Sequence, residues 1–330
     1  MRLLISRIDA IGDVCLTLPA IGWLKENHPE FTVTFLVQSY SAPIAKSCSW
    51  IDEVVVLDKT SLESTVNQLK EINPEQIIHI SPSKFLAKAA KVAQIPIRSG
   101  VRGRIYNWFY CNRLIKLSRS GSGLHESYLN LLAITRSLRM KDPDFIEFQK
   151  HIIEYAGLSE LNKTSADKSK HIILHPFSRG SGREWPVSHF SELAKLLVDN
   201  GFTPVLAGIK ADFEQIQSNI NDFPTQTIWA MGEGDLDQYI HRIGQSAGLV
   251  ASGTGPLHIA SLINIPTVGL FPPRKDINPA RWGTLNPLGS SLVSQHSCSK
   301  KCSNKDCSCM ANISPESVLN DMQRLINKKA

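Results

Sequence analysis

Short apolar runs alternate with helix-like patterns along the first half of the chain. The apolar runs predict β-strands over residues 2–7, 31–37, 53–57 and 76–80. Apolar residues at helical spacing predict helices over 12–26, 62–72, 84–93 and 125–136. Because strands that alternate with helices form βαβ units, the pattern indicates a parallel sheet.

The same alternation restarts in the second half, after a polar stretch at 159–170 that is typical of a linker. Strands are predicted over 171–175, 203–207, 248–251 and 267–270. A helix with Phe190, Leu193 and Leu197 on one face ends at Gly201. Further helices are predicted near 212–220, 256–262 and 315–327.

The pattern therefore predicts an α/β protein with two Rossmann-like domains, 1–158 and 171–314. The linker 159–170 joins the domains, and a C-terminal helix lies within 315–330. Open parallel sheets bind ligands at the carboxyl ends of their strands, so we expect a ligand site in the cleft that the two domains share.

Composition narrows the possible functions. The 330 residues are 42% hydrophobic and 20% charged, as in ordinary globular proteins. No segment reaches the ~18 apolar residues of a membrane span, and the N-terminus lacks the apolar region of a secretion signal, so we expect a cytoplasmic protein. A net charge of +6 is a mild excess that fits an anionic substrate or membrane surface and does not indicate a dedicated nucleic-acid-binding protein.

The loop after the first predicted strand, RIDAIGDV at 7–14, contains one glycine. A nicotinamide oxidoreductase is disfavoured, because its Rossmann loop needs G-x-G-x-x-G. Gly12 still lets the backbone approach a ligand closely. Asp13 is a candidate general base at the ligand edge of the sheet. The structural alternative is a carboxylate that only stabilises the start of a helix.

Two glycine-containing loops follow predicted strands in the second half. Residues 175–186, HPFSRGSGREWP, offer backbone N–H groups and the Ser178 hydroxyl to a phosphate. Arg183 can neutralise a diphosphate, or it is a solvated arginine in a flexible connection. Residues 251–260, ASGTGPLHIA, lead into a helix whose first N–H groups and Thr254 hydroxyl favour an anion. His258, one turn further, is a candidate phosphate contact or a packed structural residue.

These motifs, in this order, resemble those of glycosyltransferase family 9, the ADP-heptose:lipopolysaccharide heptosyltransferases. The opening RIDAIGDV, followed by LPA at 18–20, resembles the family's N-terminal motif. The loop at 178–186 is similar to its donor-phosphate loop. The string GTGPLH at 253–258, followed by PTVGLF at 266–271, resembles its most recognisable motif. The resemblance spans nearly the whole chain.

The resemblance implies a GT-B fold, with two Rossmann-like domains whose parallel sheets face a central cleft and a donor bound mainly by the second domain. It implies an inverting transfer that needs no metal ion or other cofactor. Asp13 would be the base and Arg183 would neutralise the leaving diphosphate. The resemblance also suggests that the C-terminal helix packs back on the first domain. It implies further donor contacts by Gly12, Ser178, Asp212, Thr254, Gly255 and His258.

Two positions depart from the family pattern. The family usually carries Asp directly before Thr-Gly, where it contacts the donor sugar, and this chain has Gly253. The family's first loop often carries hydroxyl residues that hold phosphate, and this chain has Asp9 and Ala10. We expect Asp9 to repel phosphate. The departures leave open both another donor sugar and a degenerate sugar-nucleotide-binding protein without turnover.

Basic and aromatic residues are mixed over 98–113, directly after a lysine-bearing predicted helix. The segment suits the anionic group of an acceptor, an anionic membrane surface or single-stranded nucleic acid. The structural alternative is a solvated helix face beside a packed aromatic loop. The resemblance favours the acceptor, because the first domain must supply that site. The candidate acceptor-binding residues are Lys84, Lys88, Arg102 and Arg104.

Four cysteines cluster near the C-terminus, where the family also has a cysteine-rich stretch. Four thiols within twelve residues can bind zinc, but the C-x3-C-x4-C-x-C spacing is not that of a standard zinc site. We therefore predict no metal site and interpret them as thiols of a surface loop. The cysteines are Cys298, Cys302, Cys307 and Cys309.

Together with the resemblance, the sequence predicts a glycosyltransferase that moves heptose from ADP-heptose onto a lipid-A-linked inner-core saccharide of lipopolysaccharide. We expect it in the cytoplasm, with peripheral contact to the inner membrane and without a nucleic-acid partner. The alternative within this fold is a transferase that uses another nucleotide sugar for a bacterial surface glycan.

Overall fold

The computed structural model describes residues 1–163, 170–295 and 308–329. The chain divides into two compact units, Met1–Leu158 and Ser159–Ala330. Each unit is a parallel β-sheet with helices, and each has its own apolar core.

The first unit contains a six-stranded sheet. Its strands are β1 (Arg2–Ser6), β2 (Thr32–Val37), β3 (Glu53–Val56), β4 (Gln76–His79), β5 (Ile97–Val101) and β6 (Arg113–Ile115). They pair in parallel in the order β3-β2-β1-β4-β5-β6. The central strands are buried almost throughout, because helices cover both faces of a parallel sheet.

Nine α-helices surround this sheet in the described part of the first unit. They are α1 (Ile11–Cys15), α2 (Leu18–Asn27), α3 (Ala42–Lys46), α4 (Leu62–Ile72), α5 (Lys84–Val92), α6 (Asn107–Tyr110), α7 (Glu126–Ser137), α8 (Phe145–Lys150) and α9 (Ile152–Ala156). Ser61 and Ser83 cap α4 and α5 by accepting backbone N–H groups of the first turn.

The second unit repeats this architecture. Its strands are β7 (His171–His175), β8 (Thr203–Gly208), β9 (Ile228–Met231), β10 (Gly248–Ser252), β11 (Thr267–Phe271) and β12 (Gly289–Val293). They pair in parallel in the order β12-β11-β10-β7-β8-β9. Its helices are α10 (Val187–Asp199), α11 (Lys210–Ile216), α12 (Leu236–Gln245), α13 (Gly255–Ile263), α14 (Pro279–Trp282) and α15 (Pro315–Lys329).

The single helix predicted over 12–26 is wrong in one respect: the chain forms two helices, α1 and α2. Pro19 has no N–H to donate to the carbonyl of Cys15, four residues earlier, so the helical ladder is interrupted. Thr17 stabilises the junction by donating its hydroxyl to the Asp13 carbonyl at 2.8 Å. The break leaves Asp13 on a helix of five residues at the end of β1.

The terminal helix α15 is part of the second core. Val318, Met322 and Leu325 are buried there, and the helix packs on α10 and on β10, β11 and β12. Its packing on the first domain, which the resemblance suggested, stays a prediction. Residues 159–163 of the predicted linker are bound to the second unit, since Lys163 N–H donates to the Gly244 carbonyl at 3.0 Å.

Over the described ranges, none of the helices has the length and apolar character needed to span a bilayer.

Candidate active site

The order of the strands reverses at the centre of each sheet, between β1 and β4 in the first unit and between β7 and β10 in the second. Loops that leave two such strands run apart and open a crevice at the carboxyl edge of the sheet. The predicted site residues follow these four strands. Asp13 follows β1, Lys84 follows β4, Arg183 follows β7 and Thr254 follows β10.

Asp13 is oriented by a buried arginine. Its side chain is 21% exposed and forms an ion pair with Arg7, which follows β1 and is 3% exposed. The Nε of Arg7 also lies 2.8 Å from Oδ1 of Asp9, and its Nη2 lies 3.3 Å from Oε1 of Glu126. One guanidinium therefore holds three carboxylates and fixes the position of the candidate base.

The same arginine is fixed from the other side by α7. Glu126, the first residue of α7, is 1% exposed and also pairs with Arg119. Asn130, one turn later, accepts Nη1–H of Arg7 at 3.1 Å and of Arg119 at 2.9 Å. The amide of Asn130 donates to the carbonyl of Leu16 at 2.9 Å. These contacts link β1, the α1–α2 junction and α7 around Asp13.

Asp9 belongs to this charged cluster. Burial raises the pKa of Asp9 to about 6, while Arg7 opposes the rise and the charge of Asp13 adds to it. Tyr40 donates its hydroxyl to the backbone carbonyl of Asp9 at 2.5 Å. The repulsion of phosphate by Asp9 stays a prediction. Gly12 lies buried in α1, beside Asp13 in the first unit, and its predicted donor contact is likewise untested.

The loop after β7 is held in shape by its own side chains. Ser178 is buried and donates its hydroxyl to the carbonyl of Gly182 at 3.0 Å, and its N–H donates to Oε1 of Glu184 at 2.9 Å. Arg179 and Gly180 have positive φ angles of 51° and 84°, which turn the chain sharply. Ser178 therefore maintains the loop, and its contact with a donor stays a prediction.

The loops after β7 and β10 are in direct contact. Ser181 donates its hydroxyl to the Ser178 carbonyl at 2.7 Å, and the same oxygen lies 3.4 Å from the carbonyl oxygen of Gly253. A Cβ atom on Gly182 would lie 3.2 Å from the same carbonyl oxygen, so glycine permits an approach that a larger residue would obstruct. The two segments predicted to bind a diphosphate thus form one surface within the second unit, which we call the two-loop surface (residues 178–183 and 252–255).

Buried hydroxyl groups line the two-loop surface. Thr254 is the N-cap of α13, and Gly255 and Pro256 open the helix. The Oγ of Ser252 and the Oγ1 of Thr254 are buried and have no hydrogen-bond partner among the described residues. Such orphans are rare, and the first N–H groups of a helix have no acceptor within it. The arrangement suits phosphate oxygens.

Arg183 supplies positive charge beside these hydroxyls. The residue is half-buried, and its Nε is buried without a hydrogen-bond partner in the described part of the chain. Arg274 lowers the pKa of Asp276 by hydrogen bonding, and the charge of Arg183 lowers it further. Asp276 already forms an ion pair with Arg274 at 2.7 Å. We therefore expect the positive charge of Arg183 to attract an anionic ligand.

His258 lies in the first turn of α13 and is buried. Its ring centroid lies 6.3 Å from that of Trp282. The position agrees with a packed residue, and the donor contact predicted for His258 stays a prediction.

Asp212 has a structural partner that the sequence did not reveal. Its Oδ2 accepts the N–H of Ile209 at 2.9 Å and so caps α11. The neighbouring hydroxyl of Tyr239 lies 3.1 Å from Nδ1 of His175, at the end of β7. Burial lowers the pKa of His175 to about 4, against the opposing charge of Asp212. This His175–Tyr239 pair was not predicted, because the sequence pattern did not reveal α12. A ribose contact by Asp212 stays a prediction.

The model of glycosyltransferase family 9 (heptosyltransferase) matches residues 77–311, well over half of the chain. This chain belongs to glycosyltransferase family 9.

Similar proteins agree with that membership. The chain is 32% identical over 298 residues to lipooligosaccharide heptosyltransferase 2 of Haemophilus ducreyi, covering 83% of this chain and 84% of the relative. It is 24% identical over 295 residues to lipopolysaccharide heptosyltransferase 2 of Escherichia coli, covering 83% of each. The structure of E. coli ADP-heptose lps heptosyltransferase II matches with a TM-score of 0.78 at 20% identity, over 100% of this chain and 99% of that one. The predicted family, glycosyltransferase activity and GT-B fold are confirmed.

Phe271 lies against Gly253, the position at which this chain departs from the family 9 motif. A Cβ atom at this position would lie 2.9 Å from Cε1 of Phe271, closer than real Cβ atoms approach. Phe271 ends β11 and is buried. An aromatic ring therefore occupies the space into which a side chain at position 253 would extend.

The four predicted acceptor residues are exposed on the first unit. Lys84 and Lys88 lie on α5, and Arg102 and Arg104 lie in the loop between β5 and α6. The guanidinium of Arg102 lies 5.1 Å from the ring centroid of Trp108. Because α5 packs against α6, these residues lie on neighbouring elements. Their contact with an acceptor stays a prediction.

The C-terminal cysteines were predicted not to form a metal site. Cys298, Cys302 and Cys307 lie outside the described residues. Cys309 is buried in the second core, so its assignment to a surface loop is wrong: it belongs to the same apolar cluster as Met310, Ile313 and, on α15, Val318. Within the described ranges, no group of three or more His, Cys, Asp or Glu side chains is arranged to hold a metal ion.

Proposed function

We propose that this glycosyltransferase moves heptose from ADP-heptose onto a lipid-A-linked inner-core saccharide of lipopolysaccharide, with inversion at the anomeric carbon. The observation that carries the proposal is the two-loop surface, because a nucleoside diphosphate needs N–H groups, hydroxyls and a cation in one place. The name of the similar E. coli enzyme includes ADP-heptose, and those of the curated relatives include lipopolysaccharide or lipooligosaccharide.

In the proposed reaction, Asp13 accepts the proton of an acceptor hydroxyl as its oxygen attacks the anomeric carbon. The bond from that carbon to the diphosphate breaks, and its electron pair leaves with ADP. Arg183, Thr254 and the first N–H groups of α13 stabilise the charge that develops on the leaving diphosphate. Gly12, Ser178, Asp212, Gly255 and His258 complete the proposed donor contacts, with no step assigned to a metal ion.

We place this activity at the cytoplasmic face of the inner membrane, where a nucleotide sugar meets a lipid-linked acceptor. The protein then contacts the membrane peripherally. Lys84, Lys88, Arg102 and Arg104 are the proposed contacts to the anionic acceptor, for which their exposure and shared positive charge are the support.

A panel of nucleotide sugars tests this proposal. With purified protein and a lipid-A-linked inner-core acceptor, we expect turnover with ADP-heptose to exceed that with ADP-, GDP- and UDP-hexoses. The product should carry an inverted anomeric linkage by NMR, and turnover should persist in EDTA. Loss of turnover in EDTA and its return with Mg²⁺ would contradict the metal-free mechanism.

The Gly253–Phe271 contact favours one alternative, a transferase of the same fold that uses another nucleotide sugar. Because an aromatic ring lies where the family usually has a carboxylate, the sugar of the donor would contact a less polar surface. Faster turnover with a different nucleotide sugar would support this alternative. Binding of nucleotide sugars without turnover of any would support a degenerate binding protein.

The phosphate role of Arg183 gives a separate prediction. Arg183→Ala removes a charge-assisted contact, so we expect ADP affinity to fall about 10–100-fold, while adenosine affinity changes little. Isothermal titration calorimetry measures both. Arg324→Ala is the matched control, because Arg324 is an exposed arginine of the same unit that pairs with Asp321. Equal losses for adenosine and ADP would exclude a phosphate contact.

A further inference from the structure

Positive charge is concentrated in one part of the first unit. The 50 residues from Gln76 to His125 include nine Lys or Arg and no Asp or Glu. Their +9 exceeds the +6 of the whole chain, so the remaining residues carry −3. This segment, which forms β4, α5, β5, α6 and β6, therefore accounts for the net positive charge of the protein.

The same segment exposes large apolar side chains. Ile105 is 80% exposed, Phe109 67% and Trp108 54%. On α5, Phe85 and Val92 are also exposed. Single exposed apolar residues are ordinary on a protein surface, but several within one short stretch mark an interaction site.

Apolar and basic side chains share one face of α5. The exposed positions of this helix follow the spacing i, i+1, i+4, i+7 and i+8, while the intervening residues are buried. This exposed face consists of Lys84, Phe85, Lys88, Lys91 and Val92. Lysine stems can lie along an apolar surface while their ammonium groups reach water or phosphate.

Direct contacts hold α5 and α6 together. Lys91 Nζ donates to the carbonyl of Phe109 at 2.9 Å. The indole N–H of Trp108 donates to the carbonyl of Arg102 at 3.0 Å, and the Arg102 guanidinium covers its ring. The apolar side chains are thus presented by a backbone that is already fixed. We call this area the basic–aromatic surface, formed by Lys84, Phe85, Lys88, Arg102, Ile105 and Phe109.

We propose that the basic–aromatic surface docks on an anionic phospholipid bilayer. The proposal rests on the peripheral membrane contact in the proposed function, and Lys84, Lys88 and Arg102 then meet lipid headgroups on the same surface that receives the lipid-linked acceptor. Interfacial segments combine Lys or Arg with Trp, Phe and aliphatic residues that enter the headgroup region. Here both classes are exposed side by side, and no carboxylate of the segment opposes anionic headgroups. The apolar side chains supply the area that is buried in the headgroup region, and the cations supply the attraction to it.

Single-stranded nucleic acid fits the surface less well. Bases stack on free aromatic faces, but Arg102 already covers the ring of Trp108. The rings of Phe85 and Phe109 are exposed, but the most exposed apolar side chain is that of Ile105, which offers no ring. Aliphatic exposure of this kind suits lipid and not a stacked base.

Vesicle co-sedimentation tests the proposal without donor or acceptor, so its outcome is independent of the transferase function. We expect binding to phosphatidylglycerol-containing vesicles, weak binding to pure phosphatidylcholine vesicles, and a decrease with salt. I105S/F109S should weaken binding at least 10-fold, since each side chain loses apolar burial. K84Q/K88Q should weaken it about fivefold per charge.

Ile146→Ser is the matched control, because Ile146 is another exposed isoleucine of the first unit, at 57% against 80% for Ile105, and it lies beside Asp144 and Glu147. This variant should bind vesicles like the wild type. Circular dichroism checks that all variants are folded. The proposal is overturned if the wild type does not bind anionic vesicles, if I105S/F109S binds as well as Ile146→Ser, or if a single-stranded oligonucleotide binds more tightly than the vesicles.

Discussion

Replacing Asp13 by Asn is expected to lower kcat by ~10²–10⁴-fold, the usual range for general acid–base catalysis. The amide retains the size of the carboxylate but cannot take a proton from the acceptor hydroxyl. ADP affinity should be nearly unchanged, since the proposed donor contacts in the two-loop surface are left intact. Steady-state kinetics with a saturating donor measure the first effect, and titration calorimetry measures the second.

Asp9→Asn is the matched control for this variant. Asp9 and Asp13 both pair with Arg7, so each substitution removes one negative charge beside the same guanidinium. If Asp13 acts as the base, Asp9→Asn should retain activity within about tenfold of the wild type, well short of the loss expected from removing a general base. Equal losses in the two variants would mean that the charge around Arg7, and not a proton acceptor, sustains turnover.

The local sequence predicted much of the fold, because each central strand is a nearly continuous apolar run followed by a polar, glycine-containing loop. β1 and β7 are of this kind, and so are the loops that follow them. β6 was missed because a strand of three residues with one arginine has too little pattern to be recognised. β5 was also missed, because Arg98, Ser99 and Gly100 interrupt its apolar pattern. The surrounding segment was interpreted from its basic and aromatic residues instead.

The candidate site was predicted residue by residue, but not its connections. Asp13 and Arg183 were found because each lies in a loop with a recognisable motif. The pairing of Arg7 with Glu126, 119 positions later in the chain, depends on how α7 packs against α2 and β4, which no local pattern encodes. The contact of Gly182 with Gly253 likewise follows from β7 and β10 being neighbours in the sheet.

Arg7→Met should destabilise the first unit by about 3 kcal/mol. Removing one partner of a buried ion pair costs ~3–5 kcal/mol, because the charges that remain lose their counterion. We expect the lower end of that range for two reasons. Glu126 keeps its pair with Arg119, and the side chains of Asp9 and Asp13 are 39% and 21% exposed, so water can partly solvate them.

Hydrogen exchange of the β1 and β4 amides measures this loss in the first unit alone, since protected strands exchange through large openings of their own core. Arg2→Met is the matched control. Arg2 lies on the same strand β1 but is exposed, so the same substitution there should change stability by no more than about 0.5 kcal/mol. Comparable losses for Arg7→Met and Arg2→Met would show that the buried pairs contribute nothing.

A thermodynamic cycle then separates the loss of charge pairing from the loss of packing. In a D9N/D13N background, Arg7 faces only Glu126 and Asn130, so Arg7→Met should cost less than it does in the wild type. The difference is the coupling energy between the guanidinium and the two aspartates, and contacting charges typically couple by 0.5–3 kcal/mol. If the cost is the same in both backgrounds, Arg7 stabilises the unit through packing, and Asp13 is positioned by the α1–α2 junction alone.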